Sequence, residues 1–205
     1  MTHIPNHRIP PPSAIIGLLL AAGRGSRFDN AESKLIQPCG QHDATVAELA
    51  AQALLPAIPV VAIVAAAGAL ADSLRRLGCE VILTDPSGPR EMSATLRQGV
   101  LHTRDAPGWL VALADMPLVQ PATIAAICAA MEAGADIAVP VSGSRRGHPV
   151  GFSARHRDAL LALTGDQGAR SILAAHAVTE VAVDDPGIFA DIDTPADLQV
   201  IGRFK

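Results

Sequence analysis

The chain has 205 residues, of which 49% are hydrophobic and 2% aromatic, and its formal net charge is -4. This length is typical of one domain with a single core, and the composition favours helices packed on a Val- and Ile-rich sheet over an all-β sandwich. Proteins that bind nucleic acid are more often basic, so we expect no nucleic-acid partner.

The three cysteines, Cys39, Cys79 and Cys128, are widely spaced and match neither a zinc site nor a disulfide framework. Free thiols fit a reducing compartment. Residues 1–12 contain no signal-peptide core, and the sequence has no apolar run of about 18 residues that could span a membrane. We therefore expect a cytoplasmic protein without a membrane partner.

In chain order, the sequence predicts a disordered N-terminal tail at residues 1–12, where three consecutive prolines disfavour helix and strand, and one domain at residues 13–205. Short apolar runs predict strands at 15–21, 60–65, 81–84, 109–114, 137–140 and 150–153. Helices are predicted at 45–55, 69–77, 93–102, 121–133 and 158–163, and a last helix is predicted to begin at 194–197. Residues 142–147 are predicted to form a polar turn.

The alternation of strands and helices predicts right-handed βαβ units and a mainly parallel sheet with helices on both faces. Ligands of such sheets bind beyond the carboxyl ends of the strands. Functional residues are therefore expected in the loops after Ala21, Thr84, Ala114 and Pro140.

A glycine-rich segment, residues 18–27, follows the first predicted strand. Its backbone N–H groups can cradle phosphate oxygens, and Arg24, Arg27 and Lys34 add positive charge. The alternative is a solvated loop with ordinary surface cations. The sequence has no G-x-x-x-x-G-K-[ST] P-loop, and Phe28 stands where a dinucleotide-binding fingerprint needs its third glycine.

Carboxylates occur in two further informative places. Asp115 directly follows the apolar run at 109–114, where it can hold a magnesium ion or, alternatively, cap the turn before Pro117. Asp191 and Asp193 come just ahead of the last predicted helix. Helix capping explains one of them and a second metal ligand explains the other, and the spacing alone leaves both possibilities open.

Six segments, in order, resemble those of one family. Residues 20–27 with Lys34 resemble its loop L-A-A-G-x-S-x-R followed by lysine, with Gly25 in place of the serine, and residues 114–117 resemble its G-D-M-P, with Ala114 in place of the glycine. Residues 191–197 read D-I-D-T-P-x-D, as in the family. Residues 91–96, 147–149 and 165–173 resemble segments of its cytidylyltransferase branch. From residue 15 to about residue 200, the chain thus resembles the molybdenum cofactor cytidylyl- and guanylyltransferases of the MobA-like NTP transferase family.

The resemblance implies a Rossmann-like three-layer α/β/α sandwich of the nucleotidyltransferase type with a mainly parallel sheet. It implies a magnesium-dependent nucleotidyltransferase that transfers a nucleoside monophosphate, CMP from CTP, to a phosphorylated acceptor and releases pyrophosphate. The implied acceptor is molybdopterin or the molybdenum cofactor, and a molybdoenzyme would receive the product.

The resemblance also assigns roles to residues. Arg27, Lys34 and Asp115 would be catalytic, and Asp115 and Asp193 would hold the magnesium ion. The nucleotide would contact Leu20, Ala21, Ala22, Gly23, Arg24, Gly25, Ser26, Arg27, Lys34, Ser93 and Leu96. The acceptor would contact His148, Pro149, Gly168 and Arg170. CTP is expected over GTP because Ala22 replaces a glycine of the guanylyltransferase branch, and its methyl group narrows the slot for the base.

Other interpretations remain open at this level. A guanylyltransferase or a sugar-phosphate nucleotidyltransferase would share the fold and the first loop. A non-catalytic cofactor chaperone would not need both Asp115 and Lys34. A nucleotide sensor would bind NTP and release no pyrophosphate with any acceptor. His148 could make a structural hydrogen bond in its loop, and Arg170 could cap nearby carbonyl groups.

Overall fold

A single sheet with helices on both faces organises the residues that the computed structural model describes, which are 14–23, 33–39, 44–88, 91–165 and 168–201. The strands are β1 (Ile16–Ala21), β2 (Val60–Val64), β3 (Glu80–Leu83), β4 (Gly108–Leu113), β5 (Ile137–Ser142), β6 (Arg145–Arg146), β7 (Val150–Ser153) and β8 (Thr179–Ala182). The α-helices are α1 (Val46–Leu54), α2 (Ala69–Leu77), α3 (Met92–His102), α4 (Pro121–Glu132), α5 (Arg157–Leu161), α6 (Arg170–Ala175) and α7 (Pro195–Ile201). Short 3₁₀ helices lie at Lys34–Ile36, Ala154–His156 and Pro186–Phe189.

The sheet is mostly parallel, as predicted. Its strands follow the order β3-β2-β1-β4-β7-β5-β6, and β8 pairs with β5. β1 pairs in parallel with both β2 and β4, whereas β7 is antiparallel to its neighbours β4 and β5. The parallel strands therefore direct their carboxyl ends toward one edge, which is the edge that holds ligands in such folds.

Two layers of apolar side chains cover the sheet. Within β1, Leu19 packs in one cluster and Leu18 in the other, because successive side chains of a strand point to opposite faces. Buried residues of α1, α2 and α4 complete the first cluster, and those of α3, α5 and α6 complete the second. All six residues of β1 are buried, which explains its nearly continuous apolar sequence. The expected three-layer α/β/α sandwich is confirmed.

Local signals set several helix boundaries. α1 begins with a capping box in which Thr45 and Glu48 bond each other's backbone N–H groups. α2 ends at Gly78, whose φ of 102° suits glycine. α4 begins with Pro121 at its first turn. The predicted helix at 69–77 agrees with α2, and most other predicted boundaries differ from the structure by one or two residues.

Some elements in the last third of the chain differ from the prediction. The predicted polar turn at 142–147 contains β6, which forms a short hairpin with the end of β5. Helix α6 and strand β8 were not predicted. β8 is mostly exposed, so it lacks the apolar run that identified the buried strands. The predicted tail at 1–12 lies outside the described residues. Among the described residues, no helix is long and apolar enough to cross a membrane.

Candidate functional site

Lys34, Asp115 and Asp193 meet although they are distant in sequence. The Lys34 ammonium group donates a hydrogen bond of 2.8 Å to Asp115 Oδ2 and one of 3.0 Å to Asp193 Oδ1. Lys34 opens the 3₁₀ helix Lys34–Ile36 and is only 9% exposed. Its ammonium group thus joins two carboxylates that the sequence predicted as metal ligands.

The backbone brings the two carboxylates together. Asp115 follows β4, and its carbonyl oxygen accepts the N–H of Ile192 at 2.8 Å. This hydrogen bond attaches the segment before α7 to the carboxyl end of β4. Its donor, Ile192, directly precedes Asp193. This attachment explains why side chains 78 positions apart in the sequence point to one ammonium group.

Asp197 caps the start of α7. Its carboxylate accepts the backbone N–H groups of Asp193 at 3.0 Å and Thr194 at 2.7 Å. Helix capping therefore falls to Asp197, whereas the Asp193 carboxylate binds Lys34. Within the described residues, the Asp115 carboxylate makes no hydrogen bond to the turn that follows it.

The electrostatics keep Lys34 positively charged. Burial lowers the pKa of Lys34, but the hydrogen bonds and negative charges of Asp115 and then of Asp193 outweigh it, so the pKa lies above its usual value. The cluster therefore combines one permanent cation with two carboxylates.

A cavity of about 640 Å³ opens beside this cluster, and Asp115 and Asp193 line it. The cavity carries both signs of charge: the carboxylates Asp115, Asp191 and Asp193, and the guanidinium groups of Arg145, Arg146 and Arg170. It also includes apolar walls from the core. Such a mixture suits a ligand that has anionic groups and an apolar or flat body.

His148 lies in the wall of this cavity. Its backbone N–H donates to the carbonyl oxygen of Ile188 at 3.0 Å, and a cis peptide bond joins it to the buried Pro149. Gly147 lies so close to Ile188 that a Cβ added to it would be 2.5 Å from the same carbonyl oxygen. Glycine is therefore required before His148 for this close contact between two backbone segments.

The His148 side chain has unused hydrogen-bonding capacity. Its Nδ1 atom is buried and has no hydrogen-bond partner among the described residues. Burial lowers the pKa of His148, and Arg170 lowers it further, against the opposing effect of Asp115 and Asp191. A neutral imidazole with an unsatisfied buried nitrogen is an incomplete arrangement unless a ligand supplies the partner.

Arginines line the same cavity. The guanidinium group of Arg145 lies 4.2 Å from the centre of the Phe189 ring, and Arg146 forms an ion pair of 2.8 Å with Glu180. Arg170 is the first residue of α6. The sequence did not predict Arg145 and Arg146 as site residues, because they belong to the segment predicted as a polar turn. Their position directly before Gly147 was the one feature of the sequence that could have indicated a role in the site.

The other predicted nucleotide contacts divide into three groups. Leu20 and Leu96 line the cavity, together with the predicted acceptor contact Gly168. Ala21, Ala22 and Gly23 end β1 or follow it directly. Arg24, Gly25, Ser26 and Arg27 lie outside the described residues.

Ser93 is the second residue of α3 and is only 1% exposed. Its Oγ atom has no hydrogen-bond partner within the part of the chain that the structure describes. A buried hydroxyl group without a partner is uncommon in proteins, so Ser93 and His148 share this feature.

Known proteins resemble the chain in sequence and in fold. The profile of the MobA-like NTP transferase domain matches residues 17–181. The solved structure of Rv0371c from Mycobacterium tuberculosis H37Rv is 28% identical, with a TM-score of 0.76 over 92% of this chain and 98% of that chain. The manganese complex of Rv0371c aligns at 27% identity, with a TM-score of 0.75 over 94% of this chain and 100% of that chain.

A nucleotidyl transferase from Methanothermobacter, Mth528, is 25% identical, with a TM-score of 0.76 over 92% of this chain and 96% of that chain. A comparison with curated proteins gives no match. The domain profile covers most of the chain, and its matched region contains β2 to β7, all of β1 except Ile16, and the cavity-lining residues from Leu20 to Leu173. The chain therefore carries a nucleotidyltransferase-type domain and belongs to the MobA-like NTP transferase family.

Proposed function

We propose that the protein transfers CMP from CTP to a phosphorylated acceptor of the molybdopterin type and releases pyrophosphate. The observation that carries this proposal is the contact of Lys34 with Asp115 and Asp193 at the wall of a cavity that also contains arginines. Carboxylates that can hold a metal ion, together with a lysine that can hold phosphate, are what phosphoryl chemistry requires.

The residues fit a magnesium ion. Asp115 and Asp193 already converge on one cation, the Lys34 ammonium group. Magnesium takes one or two protein carboxylates and completes its shell with water and substrate phosphates. Within the described residues no group of three or more His, Cys, Asp or Glu side chains could hold a metal, which argues against a closed structural metal site. Rv0371c has been solved as a complex with manganese, which supports a divalent cation as the cofactor of this protein.

When bound, the ion would act as a Lewis acid and template at the α-phosphate of the nucleotide. Asp115 and Asp193 would hold it, and Lys34 would turn its ammonium group to the triphosphate. Lys34 would then offset the charge that develops on the departing pyrophosphate. Arg27 is proposed to share this task.

The carboxyl end of β1 is the proposed nucleotide side of the site. Ala21, Ala22 and Gly23 would present backbone groups to the base and phosphates, and Leu20 and Leu96 would form an apolar wall. The Ser93 hydroxyl group, which has no hydrogen-bond partner among the described residues, would bond the nucleotide. Ala22 supports CTP over GTP because its methyl group leaves less room for a purine.

The acceptor is proposed to lie against His148, Pro149, Gly168 and Arg170. The buried Nδ1 atom of His148 supports this, because the acceptor would supply the missing hydrogen-bond partner. Gly168 has a φ of 55°, and a Cβ there would be 2.9 Å from Met92 Sδ, so glycine keeps this wall open. Arg170 would bind the acceptor's phosphate.

The chemistry needs little covalent help from the protein. An oxygen of the acceptor phosphate attacks the α-phosphorus, the bond from that phosphorus to the bridging oxygen breaks, and pyrophosphate leaves with the electron pair. A phosphate monoester is largely ionised near neutral pH, so no general base is required. Positioning and charge neutralisation lower the barrier.

We propose that the protein acts in the cytoplasm and passes its product to a molybdoenzyme. The three cysteines support the first part, because all are free and buried. The proposed function is tested by pyrophosphate release with each of the four NTPs, in the presence of magnesium and either molybdopterin or a hexose 1-phosphate. We expect release with CTP and molybdopterin. The proposal would be refuted if pyrophosphate is released only with a hexose 1-phosphate, or if it is released with neither acceptor.

A further inference from the structure

The buried carboxylate of Asp185 does not line the cavity but fixes a 3₁₀ helix that does. Asp185 immediately precedes the 3₁₀ helix Pro186–Phe189 and is only 1% exposed. Its Oδ1 accepts the N–H of Gly187 at 2.9 Å, and its Oδ2 accepts the N–H of Gln120 at 2.9 Å and the hydroxyl group of Thr123 at 2.6 Å. All three neighbours are donors, which matches a carboxylate that only accepts.

Asp185 holds the start of a helix that is distant in sequence. Gln120 is the N-cap residue of α4, and its own side chain makes no capping bond. The Asp185 carboxylate, 65 positions further along the chain, accepts the backbone N–H of Gln120 itself. The bond therefore ties the 3₁₀ helix to the N-terminus of α4, where a negative charge is favoured.

Close packing makes the attachment specific. Gly187 lies against the backbone of Leu118, and a Cβ added to Gly187 would collide with the Leu118 carbonyl oxygen. The same Cβ would be 2.8 Å from Asp185 Oδ1. The 3₁₀ helix therefore has little freedom to shift while Asp185 keeps its three bonds.

The 3₁₀ helix in turn carries two groups that position cavity residues. The Ile188 carbonyl oxygen accepts the N–H of His148 at 3.0 Å, and the Phe189 ring lies under the guanidinium group of Arg145 at 4.2 Å. Ile188 and Phe189 themselves line the cavity. A displacement of this helix would therefore move both His148 and Arg145.

Other hydrogen bonds hold Asp115 and Asp193 in place. The backbone N–H of Ile192, the residue before Asp193, donates to the Asp115 carbonyl oxygen, and the backbone N–H of Asp193 donates to the Asp197 carboxylate. None of these bonds includes Asp185 or its partners. Loss of the Asp185 bonds should therefore disturb the His148 side of the cavity more than the Lys34 side.

We propose that Asp185 is a positioning residue for acceptor binding, acting through the 3₁₀ helix on His148 and Arg145. The inference rests on the proposed function, in which His148 contacts the acceptor. Asp185→Asn replaces an accepting oxygen by a donating NH₂ group, which opposes the donors around it. The KM for molybdopterin should rise about 2- to 13-fold, which corresponds to the loss of one hydrogen bond to the acceptor.

The experiment compares Asp185→Asn and Thr123→Val with two controls. Thr123→Val removes one of the three donors without changing the side-chain shape, and Thr123→Ser keeps the hydroxyl group. Thr103→Val is the control for stability. It removes two hydrogen bonds of 2.8 Å, one that the Trp109 indole donates to the Thr103 hydroxyl group and one that this hydroxyl group donates to the Gly99 carbonyl oxygen, and neither Thr103 nor Trp109 lines the cavity. The readouts are the KM values for CTP and molybdopterin and the hydrogen-exchange rate of the His148 amide.

We expect Asp185→Asn and Thr123→Val to raise the molybdopterin KM and to speed exchange of the His148 amide, with the CTP KM changed by no more than about twofold. Thr123→Ser and Thr103→Val should do neither. Equal increases in both KM values, the same effect in Thr103→Val, or unchanged exchange at His148 would overturn the inference. If Asp185→Asn does not fold, Thr123→Val decides.

The outcome separates the inference from the proposed function. A wild-type protein that shows no turnover with molybdopterin refutes the proposed function. Amide exchange at His148 then decides the role of Asp185: faster exchange in Thr123→Val but not in Thr103→Val supports it, and equal rates overturn it.

Discussion

Lys34 donates a hydrogen bond of 2.8 Å from its ammonium group to Asp115 Oδ2, across 81 positions of sequence. Asp193 accepts a second bond from the same group. In the proposed reaction these three side chains hold the metal ion and the triphosphate. Removal of the Asp115 charge or of the Lys34 charge should therefore impair this reaction.

Asp115→Asn should keep the fold and lose most activity. The amide is a poorer magnesium ligand, and Lewis-acid catalysis by a metal contributes several kcal/mol, so we expect kcat to fall on the order of 100-fold or more. The measurement is kcat for CMP transfer with magnesium. Asp72→Asn, at an exposed ion pair with Arg75, is the matched control and should retain wild-type activity. Near-normal turnover of Asp115→Asn would mean that the assigned metal site is wrong.

Lys34→Met should strengthen metal binding in the absence of nucleotide and weaken catalysis in its presence. Without nucleotide, the ammonium group competes with a metal ion for both carboxylates, so its removal should raise Mn²⁺ affinity on the order of tenfold. With CTP present, the variant loses a phosphate contact, so kcat should fall and the KM for CTP should rise.

Free Mn²⁺ is measured by electron paramagnetic resonance, and Arg76→Met, which removes an exposed cation, is the control. Weaker Mn²⁺ binding by Lys34→Met in the absence of nucleotide would show that the lysine does not compete for the site.

His148→Ala should weaken binding of the acceptor and leave binding of the nucleotide unchanged. One hydrogen bond of about 0.5–1.5 kcal/mol corresponds to an increase of about 2- to 13-fold in the acceptor KM. CTP binding, measured by calorimetry, should stay close to that of the wild type. His102→Ala, at an exposed contact with Glu80, is the control. Equal damage to CTP binding would assign His148 to the nucleotide side.

Stability should fall in acid because of His156. This side chain is 7% exposed and packs edge-on against His176, with ring centres 4.7 Å apart. Burial first, and then the charge of His176, lower the pKa of His156 below its ordinary value. The folded protein therefore binds its proton less readily than the unfolded chain. The stabilisation is fully present above the unfolded-state pKa of about 6.5 and is lost as pH falls through the folded-state value.

The free energy of unfolding in urea, measured at pH 7 and pH 5, should therefore decrease more for the wild type than for His156→Phe. The variant keeps a ring at this position and cannot titrate. His148, whose pKa is also lowered, remains in both proteins, so the difference isolates His156. An equal decrease in both proteins would contradict the assignment.

The sequence predicted those parts of the site that follow buried strands. Asp115 and Ala21 could be located because each ends an apolar run, and Lys34 and Asp193 could be named from the family resemblance. Their contact could not be predicted, since it depends on the backbone bond between Ile192 and Asp115.

Other parts have no local sequence signal. Arg145 belongs to a two-residue strand in a hairpin, which is too short for a periodic pattern. Asp185 resembles an ordinary turn residue before proline, because its partners Gln120 and Thr123 are more than sixty positions away. The exposed edge strand β8 was missed for the same kind of reason: its identity comes from pairing with β5, not from its own residues.

The most direct measurement follows CTP labelled at its α-phosphate through a single reaction with molybdopterin and magnesium. We predict that the label appears in the acceptor with one pyrophosphate released per transfer, and that Asp115→Asn slows the transfer on the order of 100-fold or more. GTP labelled in the same way should be used about 10- to 200-fold less efficiently, which is the range that one methyl group can supply. Label that stays in CTP or appears only as free CMP would contradict the account, and preferential transfer from GTP would overturn the assignment of the nucleotide.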